Sequence, residues 1–276
     1  MNSIVAENEI VLDASYQVSE KDKKDYATNG FARINNICSK EELEPFREAL
    51  KEIVDEFKST KAPLSERDLY GRAFIQVPNI WERSNLIRKF VLSERFGKIA
   101  ADLMGVDGVR IYHDQALYKE AGGGFTPWHQ DQFYWPTESK TVTMWMPLVD
   151  TSRDMGLMEF IPNKNKEGML ANIKISESSE MFFRRLLKDE HLPITTYDFI
   201  DAGSATFHSG WTPHRAAPNT TNKLREVMTI IFIEDGAKVS EPKNSSQSCD
   251  LKSWFPGLGV GDICASHLNP LVYKRK

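Results

Sequence analysis

Between residues 108 and 235 the chain is a succession of short β-rich segments, at 109–118, 141–149, 157–161, 205–208 and 227–233, with Gly, Pro, Asp and Asn between them. Strands this short, separated mostly by turn residues, pair antiparallel and bury one face against a second sheet. One helical pattern, at 177–188, interrupts the series. The expectation is a β-sandwich or jelly roll buttressed by helices. The same texture argues against a dinucleotide fold, because βα units do not alternate and no GxGxxG occurs. Neither a phosphate-binding GxxxxGK[ST] nor a GxSxG elbow is present.

The first hundred residues read differently. Residues 1–18 look like a loose lead-in, and Ser19 is placed to cap a short polar helix over 19–28. Residues 30–34 read as a strand. Ser39 followed by Glu41 and Glu42 opens an amphipathic helix carrying Leu43, Phe46, Leu50, Ile53, Val54 and Phe57 at helical spacing. A second helical region spans 80–104. Residues 58–72 are read as a candidate lid. Residues 236–250 read as a Ser/Lys/Asn-rich loop, and 254–259 as a turn. The expected organisation is one domain over 1–276, with a mostly helical buttress (1–107), a jelly-roll core (108–235) and a C-terminal extension (236–276).

With 276 residues, 41% apolar and 27% charged, such a domain buries enough surface to fold without a structural metal or disulfide. The net charge of −4 offers no basic surplus for nucleic acid or an anionic membrane surface. Cys38, Cys249 and Cys264 are too few and too scattered for a disulfide framework or a thiolate zinc site, which fits a reducing cytosol and a cytoplasmic location. No apolar run approaches about 20 residues, and the first fifteen residues lack the basic start of a secretory leader. The partner expected is a small molecule; oligomeric state leaves no signature in the sequence.

Among six histidines, His129 stands out in Pro127-Trp128-His129-Gln130-Asp131. On a strand or its edge, residues i and i+2 point the same way, so imidazole and carboxylate can face one point. With one more histidine they would make a 2-His-1-carboxylate set, which leaves positions open on Fe(II). His-x-Asp alone recurs by chance, more often as a surface pair or a histidine bonded to a backbone carbonyl. Its context is more informative. Gly122-Gly123-Gly124 precedes it, where backbone can approach a ligand closely. The aromatic run Phe133-Tyr134-Trp135-Pro136 follows, suited to an apolar wall or to plain core packing. Downstream, Phe207-His208-Ser209-Gly210-Trp211-Thr212-Pro213-His214 offers two histidines for the third ligand, and the residues alone leave His208 and His214 in competition.

His129-x-Asp131, the distal histidine and Arg225 together resemble the phytanoyl-CoA dioxygenase (PhyH-like) family of Fe(II)- and 2-oxoglutarate-dependent oxygenases. Further matching stretches are Gly30-Phe31, Ser39-x-Glu41-Glu42-Leu43, Trp145, Asp150-x-x-x-Asp154-Met155-Gly156 and Trp211-x-x-His214-x-x-x-Pro218-Asn219, so the resemblance runs over about 20–240. It implies a mainly β fold with flanking helices around a double-stranded β-helix (jelly roll, cupin-like) core. It also implies Fe(II), 2-oxoglutarate as cosubstrate and O₂, and it selects His214 as distal ligand because that histidine precedes the Pro218-Asn219 turn. His208 then falls beside the ligands or in the core.

Arg225 maps to the arginine that holds the distal carboxylate of 2-oxoglutarate, a task its planar fork suits; the plainer alternative is an ion pair with Glu226 or Asp235. Trp145 falls beside the cosubstrate, and Thr126 and Gln115 are candidates to hydrogen-bond it. His113 shares the Gln115 face. The family's Pro-Gly-Ser-His turn is replaced by Pro162-Asn163-Lys164-Asn165, where asparagine tolerates the left-handed conformation. Asp131 occupies the place that related halogenases vacate for halide, which favours oxygenation.

For the substrate pocket the candidates are Phe133, Tyr134, Trp135 and Trp211, with Met144 and Met146 nearby. They suggest a small secondary metabolite that is hydroxylated, desaturated, epoxidised or rearranged. An acyl-CoA substrate is the alternative, with Lys164, Lys166, Arg184, Arg185 and Lys188 as a phosphate-binding patch. Two readings from other classes are a non-catalytic jelly-roll binding protein and a non-redox zinc enzyme.

Overall fold

The computed structural model describes residue 12 and residues 14–276. Most of the lead-in expected over 1–18 lies outside the described residues. Helix α1 (Glu20–Asn29) is capped by Ser19, whose hydroxyl accepts from Asp22 N, and ends on Gly30 at φ 86°. Strand β1 (Phe31–Ile34) leads to α2 (Lys40–Ser59). A reciprocal box starts α2: Ser39 Oγ accepts from Glu42 N at 3.2 Å, and the Glu42 carboxylate accepts from Ser39 N at 2.8 Å. Leu43, Phe46, Leu50 and Val54 then bury one face of it. Replacing Ser39 with alanine should cost about 1 kcal/mol of stability; an unchanged denaturant midpoint would show that the box contributes nothing.

The helical region expected over 80–104 divides. A 3-10 turn (Ile80–Glu82) is followed by α4 (Asn85–Val91) and α5 (Glu94–Met104), after α3 (Leu69–Ala73) and β2 (Ile75–Pro78). Ser84 and Ser93 stand at the N-cap positions of α4 and α5, and Ser84 Oγ accepts from Ile87 N. Serine competes for backbone donors more effectively at a helix start than inside a helix, so Ser84 starts α4, whereas Ser93 occupies the head of α5 without a side-chain cap bond.

The remaining strands are β3 (Gly108–Tyr118), β4 (Thr126–His129), β5 (Thr141–Pro147), β6 (Thr151–Ser152), β7 (Met158–Phe160), β8 (Thr195–Thr196), β9 (Phe199–Ile200), β10 (Ala205–Ser209), β11 (His214–Ala216), β12 (Val227–Glu234) and β13 (Leu271–Lys274). Helix α6 (Glu177–Asp189) lies between β7 and β8. A large antiparallel sheet runs β1-β10-β5-β12-β3-β13, with β2 also on β3; a smaller one runs β4-β11-β7-β8, and β6 pairs with β9. This is the jelly roll with flanking helices.

Alternation along β5 decides which face meets what. Met144 and Met146 pack with Phe46, Phe90 and Phe96 of the helical layer. Thr143 and Trp145 face the other way, and Trp145 packs with Met158, Phe160 and Ala216 of the small sheet. The two methionines therefore buttress the sheet from behind and are not pocket residues, a correction that period-2 alternation explains.

The C-terminal extension is also more ordered than expected. Residues 236–250 are not all loop, because α7 (Ser245–Trp254) begins within them, capped by Asn244 accepting from Gln247 N at 2.9 Å. Gln247 Oε1 returns to accept from Lys243 N at 2.8 Å. The Asn-x-x-Gln spacing is a helix-start signal that the polar composition concealed.

Candidate metal centre

Two short strands of the small sheet bring the histidines together. In the β4–β11 pairing, His129 stands opposite His214, and their ring centroids are 4.2 Å apart. Each ring is fixed the same way: His129 Nδ1 lies 2.8 Å from Pro127 O, and His214 Nδ1 lies 2.9 Å from Thr212 O. A carbonyl only accepts, so each Nδ1 carries the proton and each Nε2 presents a lone pair. Asp131 begins a 3-10 turn just past the end of β4, so the turn, not a continued strand, aims its carboxylate. Asp131 Oδ1 lies 3.4 Å from His129 Nε2 and 3.6 Å from His214 Nε2. Ligand atoms of these three residues all lie within 4.8 Å of one another. Two neutral imidazole nitrogens and one carboxylate suit Fe(II) chemically.

The large sheet supports this group from the opposite side. Thr143 on β5 donates its hydroxyl to Asp131 Oδ2 at 3.0 Å. His208, Thr143's cross-strand partner on β10, places Nε2 3.4 Å from the same oxygen. It is buried, and neither of its ring nitrogens has a hydrogen-bond partner among the described residues. Burial pushes the Asp131 carboxyl upward, but the imidazoles of His214, His129 and His208 gathered around it outweigh burial and hold the group well below its ordinary range. Burial, with the neighbouring imidazoles, drives His214 well below its usual value and keeps it neutral.

The three residues open onto a cavity of about 360 Å³. Trp145, Thr126, Gln115 and Arg225 all line it. Arg225 is 1% exposed, sits with Cζ 5.3 Å from the centre of the Trp145 ring, and donates Nη1 to Gly156 O. Its Nε and the Thr126 hydroxyl are buried without partners among the described residues. The expected alternative for Arg225 does not occur: Glu226 is gripped by Arg47 at 2.7 and 3.0 Å, and Asp235 by Arg110 at 2.7 Å and Lys274 at 2.9 Å. A buried guanidinium without a carboxylate fits an anionic ligand such as 2-oxoglutarate. Gln115 spends its side-chain oxygen on an amide donated by Gln76.

The aromatic candidates divide. Tyr134 and Trp135 line the cavity, and Tyr134 Oη accepts from Ile175 N at 3.0 Å. Phe133 and Trp211 are not among the lining residues: Phe133 packs edge-on to Tyr134, and Trp211 is joined through its backbone oxygen to Gln130 Nε2. Consecutive residues of a turn point in different directions, so an aromatic run cannot present every ring to one pocket. His113 does reach the cavity, stacked at 4.8 Å on Trp254, and burial lowers it to about 4.

Other walls had no sequence signal strong enough to name them. Tyr70 and Phe74 come from the segment around α3, which borders the cavity. Trp254 and Asp250 come from α7. Asp250 accepts from Tyr112 Oη at 2.9 Å, and burial pushes it up to about 7. Thr143, two residues before Trp145, follows from strand alternation once Trp145 is placed.

Two glycine and turn expectations also resolve. Asn163 has φ 65°, as expected of the Pro162-Asn163 turn. In the glycine run, a Cβ on Gly123 would sit 2.8 Å from Lys119 Cγ, so the close approach there is to a lysine stem.

Comparison with known proteins agrees with this geometry. The family model for phytanoyl-CoA dioxygenase (PhyH) matches residues 26–227. A curated protein of Stutzerimonas stutzeri, described as a probable alpha-ketoglutarate-dependent hypophosphite dioxygenase, is 23% identical over 223 residues, covering 75% of this chain and 76% of that protein. Among solved structures, the non-heme alpha ketoglutarate dependent carbocyclase SnoK from nogalamycin biosynthesis superposes with a TM-score of 0.74 at 22% identity, over 92% of this chain and 96% of that one. The epimerase SnoN, solved with Fe3+, alpha ketoglutarate and nogalamycin RO, gives 0.72 at 20% identity, over 92% and 98%. At these identities the two structures carry the fold.

Proposed function

The chain belongs to the phytanoyl-CoA dioxygenase family, and on that premise we propose that it oxidises a C–H bond of a small organic molecule, with His129, Asp131 and His214 holding Fe(II) and Arg225 holding 2-oxoglutarate. It is a 2-oxoglutarate-dependent non-haem iron dioxygenase. When bound, iron and 2-oxoglutarate supply the oxidation of substrate by O₂, with loss of CO₂ and formation of succinate.

The protein's own part is to orient and exclude. Backbone carbonyls at Pro127 and Thr212 set the two imidazoles, Thr143 sets Asp131, and Trp145 covers the guanidinium. One observation carries the reading: three convergent ligand atoms share a cavity with a buried arginine that has no carboxylate partner among the described residues. Thr143→Val should weaken Fe(II) binding by about 10–100-fold while the fold is kept. Unaltered affinity in an anaerobic titration would remove Thr143 from the assignment.

The substrate end favours a compact, neutral or amine-bearing aromatic or alicyclic molecule, of the kind handled in secondary metabolism. Its walls are Tyr70, Phe74, Tyr134, Trp135 and Trp254, with the Asp250 carboxylate among them. The basic patch that an acyl-CoA would need is largely spent: Lys164 pairs with Glu167 and Glu190, Arg184 with Glu180, and Arg185 with Asp189. The test is a mass-spectrometric screen with Fe(II), ascorbate, 2-oxoglutarate and air. Addition of one oxygen, or loss of two hydrogens, on a compound of this class supports the reading. Oxidation of acyl-CoA esters alone would overturn its substrate half.

A further inference from the structure

Lys119 follows β3 directly, and its backbone pairs with that of Arg225 in both directions: Lys119 N donates to Arg225 O and Arg225 N to Lys119 O, each at 2.9 Å. Residues paired this way stand directly opposite and project their side chains on the same face. Two cations are therefore neighbours, and they are 0% and 1% exposed. Like charges so placed repel, and burial removes the water that would screen them.

No carboxylate among the described residues answers either one. Glu120, next in the chain, is engaged by Arg67 at 2.5 Å and Lys58 at 3.6 Å. Glu226 is engaged by Arg47. Asp154 and Arg72 belong to segments that pack here, through the Gly156 turn and the backbone beside Gly124, and neither is paired with Lys119 or Arg225. The Lys119 amine donates to Gly124 O, and its stem runs beneath Gly123 and against Gly156, whose carbonyl takes the Arg225 Nη1. Burial and the Arg225 charge are the two causes that lower Lys119 to about 6.

We propose that Lys119 is a positioning residue for the cosubstrate: binding of the distal carboxylate of 2-oxoglutarate at Arg225 draws a proton from solvent onto the neighbouring Lys119 amine. The proposal rests on the assignment of Arg225 made above. An anion on Arg225 cancels the repulsion felt by Lys119, so the amine's affinity for a proton rises when the site fills. The sign follows. Below about pH 6 the amine is charged in both states and affinity is flat. Above that, each binding event takes up as much as one proton, and affinity falls by as much as about tenfold per pH unit until the raised value of the filled site is reached.

The experiment is calorimetric titration of 2-oxoglutarate into the full chain loaded with Fe(II) under argon, near pH 7.5, in phosphate and in Tris. The difference in heat between the buffers reads the proton count. Oxalate, which chelates metal but has no carboxylate to reach Arg225, is titrated in parallel. The expected result is substantial proton uptake with 2-oxoglutarate and none with oxalate. Lys119→Met should abolish the uptake and weaken binding, and Lys119→Arg should abolish the uptake while keeping affinity. Binding of 2-oxoglutarate without uptake, equal uptake with oxalate, or uptake persisting in Lys119→Met overturns the proposal and leaves the enzymatic reading standing. Absence of any 2-oxoglutarate binding overturns that reading itself. If the variants do not fold, the two titrations of the wild-type protein still decide.

Discussion

Asp131→Ala is expected to lose bound Fe(II) and reduce succinate formation from 2-oxoglutarate to background, while the far-ultraviolet circular dichroism stays that of the wild-type protein. The carboxylate is the only anion of the proposed ligand set, and two neutral imidazoles are a poor site for a divalent ion that prefers mixed nitrogen and oxygen donors. The fold should survive because the residues that aim Asp131 are held by other partners. His129 and His214 keep their backbone carbonyls, and β5 and β10 keep their ladder. Alanine leaves the Thr143 hydroxyl without its acceptor, a loss of about 1 kcal/mol, and removes the longer contacts of the three imidazoles with the carboxylate. Metal analysis and a succinate assay together check this. Full iron occupancy in the variant would place the metal elsewhere.

Arg225→Ala should separate cosubstrate binding from metal binding. A guanidinium buried with no anionic partner among the described residues is available for a charge-assisted, two-point contact with a carboxylate, and truncating one side of such a buried pair costs about 2–5 kcal/mol. That corresponds to a rise of roughly 30- to several-thousand-fold in the Kd of 2-oxoglutarate. Fe(II) affinity should stay within a few-fold, because Arg225 contacts Trp145 and Gly156, not the ligand residues. Arg225→Lys should recover only part of the loss, since a point charge replaces a planar fork. Parallel loss of iron in Arg225→Ala would show that the residue supports the metal group instead.

Much of the architecture was legible because strands announce themselves locally. The segment at 227–233 is apolar but for Thr229, that at 109–118 carries Val109, Ile111, Tyr112 and Tyr118, and the two became the paired β12 and β3. Ser19 and Ser39 marked helix starts that the structure reproduces. The metal group was legible as a motif, but its supporting contacts were not. Thr143 reaches Asp131 only because β5 and β4 belong to facing sheets, and sequence separation conceals that juxtaposition. The cavity walls were the least legible part. Tyr70, Asp250 and Trp254 come from segments read as a candidate lid, a polar loop and a turn, and their role depends on where short helices dock. Phe133 and Trp211 show the converse. Being aromatic and next to the ligands does not decide which way a turn residue points.

The most direct test of the central claim is an anaerobic titration of 2-oxoglutarate into the Fe(II)-loaded protein, followed by visible absorption. Chelation of Fe(II) by the 2-oxo acid produces a charge-transfer band. That band should rise to saturation at one equivalent of 2-oxoglutarate per bound iron, and it should be absent in His214→Ala. No band in the wild-type protein, or an undiminished band in His214→Ala, would contradict an iron centre built on His129, Asp131 and His214.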